Sequence, residues 1–308
     1  NQEEIHAAVI SYLNTKPRYF YRMESTVDGK FFATPRGWED LSRLISVYER
    51  LGKTVDREVV IQYIQYPKAA KDFAIYLELY YKYQTDYQID AVLEGKIDEI
   101  LLKKTAHASF DEKLSVIGLL TARCVENFRR VCRQEDALSL VFEGLKECKE
   151  QLLQDKEANL TGCLKGIVNK LQWEQEHKQK AELLSRTERD NYHSAIAMLE
   201  AYEKDFLGEE EKHGDEAFQA LKSLFERDRE AYEKQIEQAG AALEHAFDFM
   251  EVAFGESQEM VIFITELTAN YYCVRFLQNY DCPRYYQYNE SLLFEKNQQE
   301  ILAKIDRL

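Results

Sequence analysis

Proline and glycine are scarce in this chain of 308 residues, which contains four Pro and twelve Gly. A protein of many strands needs a turn about every 8 to 12 residues, and these two residue types supply most of its turns. No uncharged apolar run approaches the roughly 18 to 20 residues of a membrane-spanning helix. Hydrophobic residues make up 45% of the chain, too large a share for disorder. We therefore expect a mainly helical, globular fold without a membrane span.

Basic residues are also in deficit, with 40 Lys and Arg against 55 Asp and Glu, so the formal charge is −15. This charge opposes binding to a phosphate backbone. No cluster of Lys and Arg with interleaved aromatic residues offsets it locally. We expect no nucleic-acid partner.

Paired cysteine motifs are absent, because none of the six Cys forms a Cys-x-x-Cys pair. The first four lie among apolar positions of helical patterns, which is typical of buried free thiols. Residues 1–15 have neither the basic start nor the apolar core of a signal peptide. We expect a reducing, cytoplasmic compartment.

Residues 1–95 differ from the rest, since they hold three of the four Pro and eleven of the twenty Tyr. Asp28-Gly29 lies between two apolar runs and predicts one β-hairpin. Helices are predicted over residues 3–13, 35–51, 56–66 and 67–83. The second is the best marked, with Thr34 as N-cap, Pro35 at the first helical position and Gly52 beyond the last turn.

Residues 96–308 contain a single Pro, and their apolar side chains recur every three or four positions. This pattern predicts long amphipathic helices packed as a bundle or a coiled-coil-like hairpin. The apolar stretch 260–277 is predicted as one central helix, and a last helix as residues 291–308. Two polar stretches, 173–189 and 208–214, are predicted as exposed connections. The chain thus divides into domains 1–95 and 96–308.

Three kinds of chemical site are weakly represented. Gly52-Lys53-Thr54 ends like a phosphate loop, but Val47 stands where the first glycine belongs, so we interpret it as a helix C-cap. Glu174 and His177, like Glu210 and His213, have the spacing of a di-iron ligand pair, but both pairs lie in solvated sequence, and we expect no metal. No Gly-x-Ser-x-Gly marks a nucleophile.

The C-terminal tyrosines are expected to be core residues: Tyr271, Tyr272, Tyr280, Tyr285, Tyr286 and Tyr288.

One cation has an unusual position, because Arg36 lies in the first turn of a capped helix. Free backbone N–H groups and the positive end of the helix dipole favour an anion there. A guanidinium at this position suits phosphate oxygens. The alternative is that Arg36 pairs with Glu39 or Asp40 one turn further on. The residues alone leave both interpretations open.

Residues 31–42, Phe-Phe-Ala-Thr-Pro-Arg-Gly-Trp-Glu-Asp-Leu-Ser, resemble the start of a lid-subdomain helix in the MoxR-type AAA+ ATPases, where a Ser/Thr-Pro-Arg carries the sensor-2 arginine. Residues 27–30, 47–52 and 71–74 resemble one bacterial subgroup of that family. The tail at residues 263–268 is similar to its helical extension. The resemblance implies a small helical AAA+ lid with one hairpin, followed by a long-helix extension.

What the resemblance implies for the site is limited to one residue. Arg36 would reach the β/γ-phosphates of ATP, with Thr34 and Pro35 as its structural frame. The Walker A and B elements that hold ATP and Mg²⁺ are absent here, so the family's N-terminal nucleotide-binding core is expected to precede residue 1. The chain alone is expected to hydrolyse nothing.

The resemblance also implies a chaperone-like remodelling ATPase that forms a ring with neighbouring subunits, often with a von Willebrand factor A-domain protein as partner. The acidic extension would then contact the partner, and residues 174–189 and 209–215 are predicted for that surface. The competing hypothesis is a stand-alone acidic helical scaffold without nucleotide, in which Arg36 forms an ordinary surface ion pair.

Overall fold

The computed structural model of the chain describes residues 5–26, 29–154, 159–206 and 214–291. Helices make up most of this part, and its sheet is a two-stranded antiparallel hairpin. The prediction of a mainly helical fold with one small hairpin is confirmed.

Short helices surround the hairpin in the first third of the chain. The elements are α1 (Ala7–Thr15), a 3-10 turn (Pro17–Tyr19), β1 (Arg22–Thr26), β2 (Gly29–Ala33), α2 (Pro35–Arg50), α3 (Arg57–Tyr63), α4 (Pro67–Asp86), α5 (Ile89–Leu93) and α6 (Glu99–Ala106). The strands pair from Arg22 opposite Ala33 to Thr26 opposite Gly29. Gly29 has a φ of 131°, a backbone conformation that glycine adopts without the steric cost of a side chain. Asp28 lies outside the described residues.

Long helices form the remainder, as the apolar spacing predicts. They are α7 (Phe110–Gln154), α8 (Leu160–Lys180), α9 (Arg186–Asp205), α10 (Gly214–Phe254), α11 (Gln258–Ala269) and α12 (Tyr271–Asn279), followed by a helical segment at residues 283–291. α7 has 45 residues and therefore spans about 68 Å. α9 begins with a capping box, in which Ser185 and Glu188 each bond the other's backbone N–H.

The buried apolar side chains form two separate clusters. The larger cluster, the core lobe, takes its members from α1 to α6, the first part of α7, the second part of α10, α11, α12 and residues 282–285. The smaller cluster, the distal lobe, takes them from the second part of α7, α8, α9 and the start of α10. The predicted boundary at residue 95 lies within the core lobe, whereas the two clusters separate along α7 and α10.

The chain path makes the distal lobe a four-helix bundle. α7 leads away from the core lobe and α8 returns to the middle of α7, where the Asn191 amide at the start of α9 donates to Asp136 at 3.0 Å. α9 leads away again, and the Tyr202 hydroxyl near its end donates to Asp228 of α10 at 2.8 Å. α10 then returns to the core lobe.

Two predicted features are wrong in their boundaries. The apolar stretch 260–277 is two helices, because the Asn270 side chain accepts hydrogen bonds from the Tyr272 and Cys273 N–H groups and starts α12. The stretch 173–189 is mostly helical, since α8 continues to Lys180, and the connection is residues 181–185. The predicted connection at residues 208–213 and the predicted last helix from residue 292 onward lie outside the described residues.

Candidate functional site

The first turn of α2 is fixed by its own capping residues. The Thr34 hydroxyl oxygen accepts a hydrogen bond from the Gly37 N–H at 3.1 Å, and Pro35 occupies the first helical position. Pro has no N–H to leave unpaired, and its φ suits a helix start. The predicted N-cap and first helical residue are confirmed. We call residues 34–38 the α2 start.

Two further residues lock the α2 start onto its surroundings. A Cβ at Gly37 would lie 2.5 Å from the carbonyl oxygen of Tyr63, so only glycine allows α2 to approach the end of α3 this closely. Trp38 is 2% exposed, and its indole N–H donates to the Tyr19 carbonyl at 2.9 Å. Its ring packs edge-on against Phe73, with 5.1 Å between centroids. The backbone beside Arg36 is therefore held on both sides.

Arg36 itself extends into solvent, with 69% of its side chain exposed. Its Nε donates to Asp40 at 3.1 Å and its Nη1 to Glu39 at 3.4 Å. Arg43 forms ion pairs with the same two carboxylates. The alternative that Arg36 pairs locally is confirmed for this structure. Exposed pairs within one helix contribute only about 0.3–0.5 kcal/mol, so a stronger anion can replace the two carboxylates.

The hairpin brings a second arginine to this end of α2. Arg22 is exposed and pairs across the hairpin with Ala33, the residue before the N-cap Thr34. Within the described ranges its side chain forms no ion pair. The sequence pattern does not reveal this neighbour, because its position depends on the hairpin register. The guanidinium of Arg36, exposed at the first turn of α2, suits an oxyanion such as phosphate or carboxylate.

The residues predicted to resemble a metal ligand pair have other partners. Glu174 accepts a hydrogen bond from the Tyr192 hydroxyl at 3.3 Å, whereas His177 Nδ1 donates to the Trp173 carbonyl at 2.8 Å. In the part of the chain that the structure describes, no group of three or more His, Cys, Asp or Glu could hold a metal ion. Glu210 and His213 lie outside that part.

Gly52 ends α2, as predicted for a C-cap. Its φ is 64°, and the Lys53 N–H donates to the Tyr48 carbonyl at 2.8 Å. This is the backbone pattern of a glycine-terminated helix and not of a phosphate loop.

All six cysteines are buried thiols outside any disulfide, and burial was predicted for the first four of them. Burial raises the pKa of Cys132 to about 11 and that of Cys124 to about 12. Both thiols therefore stay protonated at neutral pH and are poor nucleophiles. Of the C-terminal tyrosines, Tyr272 and Tyr285 are core residues, whereas Tyr271 and Tyr286 are 45% and 42% exposed, contrary to the prediction.

A polar network between the two lobes has no counterpart in the sequence-based predictions. We call it the waist network: Glu135, Asp136, Asn191 and Arg275. Arg275 of α12 donates to Asp136 at 2.6 and 3.1 Å and to Glu135 at 2.7 Å. Hydrogen bonds to Asp136 above all hold the pKa of Arg275 above its usual range. The only sign of the waist network in the sequence is the polar run Arg-Gln-Glu-Asp at residues 133–136, which interrupts the apolar pattern of α7.

Comparisons with protein-family models, with curated proteins and with solved structures find no match. Every helix in the described ranges is too short or too polar to cross a membrane.

Proposed function

We propose that residues 1–95 act as the lid of a MoxR-type AAA+ ATPase, in which Arg36 contacts the β/γ-phosphates of ATP. One observation carries the proposal. The first turn of α2 is held in place by the other residues of the α2 start, Thr34, Pro35, Gly37 and Trp38. The Arg36 side chain, in contrast, extends into solvent and contacts only carboxylates of its own helix. A rigid turn that presents one arginine suits a residue whose partner lies outside the lid.

The chemistry assigned to Arg36 is electrostatic. Phosphoryl transfer develops charge on the phosphate oxygens, and a positioned guanidinium stabilises that charge. Arg36 would exchange Glu39 and Asp40 for phosphate oxygens when the lid closes. The α2 start offers a single guanidinium, so a separate nucleotide-binding core would hold Mg²⁺ and most of the ATP.

The same proposal gives the rest of the chain a role in assembly. The ATPase would be a cytoplasmic ring in which the lid contacts its own nucleotide-binding core and neighbouring subunits. The long helices would bind a partner, such as a von Willebrand factor A-domain protein, in a chaperone-like remodelling reaction. The predicted partner surface includes the connection between α8 and α9, residues 181–185, in which Leu183 is exposed.

The test is ATP hydrolysis by the protein in which this chain is joined to its nucleotide-binding core. We expect Arg36→Ala to lower kcat by about 10² to 10³-fold, the usual effect of removing one positioned donor. Arg43→Ala is the matched control, because Arg43 pairs with the same carboxylates but lies two helical turns further along α2. Wild-type hydrolysis by Arg36→Ala, or an equal loss in both variants, would contradict the proposal.

A second candidate function is an acidic helical scaffold without nucleotide, and the observed pairing of Arg36 with Glu39 and Asp40 favours it. A double-mutant cycle between Arg36 and Asp40 measures the ion pair. The scaffold hypothesis predicts a coupling within about 1 kcal/mol. It also predicts that ATP leaves the coupling unchanged, whereas an ATP-binding Arg36 would lose it when nucleotide is added to the intact protein.

A further inference from the structure

Few buried apolar side chains lie between the two lobes. Within the described part of the chain, α7 and α10 are the helices that contribute to both clusters. α10 is described throughout and has no buried residue between Leu221 and Ala239. α7 carries the half-buried polar run 133–136 at the same level. Buried apolar side chains are therefore few between the two clusters, Ala137 and Leu138 of α7 among them.

The waist network connects the lobes at this level. Arg275 belongs to α12 of the core lobe and bonds Glu135 and Asp136 in the middle of α7. Asp136 also accepts the Asn191 amide hydrogen bond at 3.0 Å, and Asn191 belongs to α9 of the distal lobe. The Asp136 carboxylate is thus shared between a residue of each lobe.

The geometry of Arg275 makes it the main connection. Its Nη1 and Nη2 both bond the Asp136 carboxylate, a two-point contact that fixes direction as well as distance. Only 23% of its side chain is exposed, so solvent screens these bonds less than those of Arg36. Tyr232 of α10 faces the same carboxylates, and burial beside them raises its pKa to about 12.

We propose that Arg275 is a positioning residue that holds the distal lobe at a fixed angle to the core lobe. The distal lobe is then a rigid arm, which carries any movement of the core lobe to its far end. The positioning role is independent of the proposed function. Its use, the transmission of ATP-driven lid movement to a partner, rests on the proposed function.

The length of the arm makes the effect measurable. Asp136 and Gln154 are 18 residues apart on one continuous helix, or about 27 Å at a rise of 1.5 Å per residue. A rotation of about 10° at the waist would move the far end of α7 by about 5 Å over that length. A spin-label distance distribution resolves a change of this size.

The experiment measures the distance between labels on introduced cysteines in each lobe of the full chain. Lys68→Cys on α4 and Gln151→Cys on α7 are exposed positions of the core and distal lobes, respectively. The native thiols are all buried, so brief labelling selects the two new ones. We expect a single narrow distance distribution in the otherwise wild-type chain.

Arg275→Gln should broaden that distribution or shift its maximum by several ångström, and Arg275→Lys should restore it in part. Arg284→Gln is the matched control, because Arg284 also pairs with several carboxylates, including Glu244 and Asp248, but entirely within the core lobe. An unchanged distribution in Arg275→Gln, or equal broadening in Arg284→Gln, would overturn the proposal.

If circular dichroism shows that Arg275→Gln does not fold, the same distance measurement is made on Asn191→Ala. It removes only the bond from Asp136 to the distal lobe, and we expect a smaller broadening. A wild-type distribution in Asn191→Ala would then count against the network as the connection. None of these measurements needs ATP, so a failure of the positioning role is distinct from a failure of the ATPase proposal.

Discussion

Gly37→Ala tests whether the α2 start is as tightly held as the structure indicates. Replacing glycine by alanine inside a helix normally stabilises a protein by about 0.5–1 kcal/mol, because alanine has the higher helix propensity. At Gly37 the new methyl group would lie 2.5 Å from the Tyr63 carbonyl oxygen, about 0.9 Å closer than the 3.4 Å at which ordinary contact begins. The neighbouring atom is backbone, so it cannot rotate away.

The size of the effect follows from these two opposing contributions. Inserting a methyl group into a packed site typically costs about 1–3 kcal/mol, because backbone must shift. Taking about 2 kcal/mol, the middle of that range, and subtracting the propensity gain leaves a net loss of about 1–1.5 kcal/mol in the free energy of unfolding. The sign is therefore opposite to the one that helix propensity alone predicts.

Urea unfolding monitored by circular dichroism measures this difference. Gly166→Ala is the matched control, because a Cβ at this position of α8 meets nothing within 4 Å. We expect Gly166→Ala to raise the free energy of unfolding by up to about 1 kcal/mol. If Gly37→Ala is as stable as the wild type, or stabilises to the same extent as Gly166→Ala, the close approach of α2 and α3 is refuted.

Two further predictions concern the cap and the thiols. Thr34→Ala should cost about 1 kcal/mol in urea unfolding and Thr34→Ser much less, because the hydroxyl oxygen accepts the Gly37 N–H; equal losses would refute the cap. The pKa of the Cys132 thiol is raised from 9.0 to about 11 in the folded state, so its contribution to stability is complete below pH 9 and is lost as the pH rises towards 11. Urea unfolding at pH 8 and pH 10.5 should show this loss, at most about 1.4 kcal/mol for each unit between the two pKa values, and Cys132→Ala should show less of it.

Local features of the fold are predictable from the sequence because their determinants are neighbours in the chain. Thr34, Pro35 and Gly52 mark both ends of α2 through capping and conformational preference, and the structure places these ends as predicted. The pairing of Arg36 with Glu39 and Asp40 also follows from one-turn spacing. Such interactions need no knowledge of tertiary structure.

Features that depend on distant residues are not predictable in this way. Asp136 and Arg275 are 139 residues apart, and only the packing of α12 against α7 brings them together. The apolar stretch 260–277 is divided at Asn270, whose side chain caps α12. Whether an Asn in such a stretch caps a new helix depends on the direction in which that helix packs. Likewise, the contact between Gly37 and the Tyr63 carbonyl depends on how α3 approaches α2.

In the proposed function, Arg36 exchanges Glu39 and Asp40 for a phosphate. The most direct measurement is a structure of the intact protein, with this chain joined to its nucleotide-binding core, in the presence of Mg²⁺ and a non-hydrolysable ATP analogue. We predict a guanidinium nitrogen of Arg36 within about 3 Å of a β- or γ-phosphate oxygen. If the nucleotide is bound while Arg36 still pairs only with Glu39 and Asp40, the claim is contradicted.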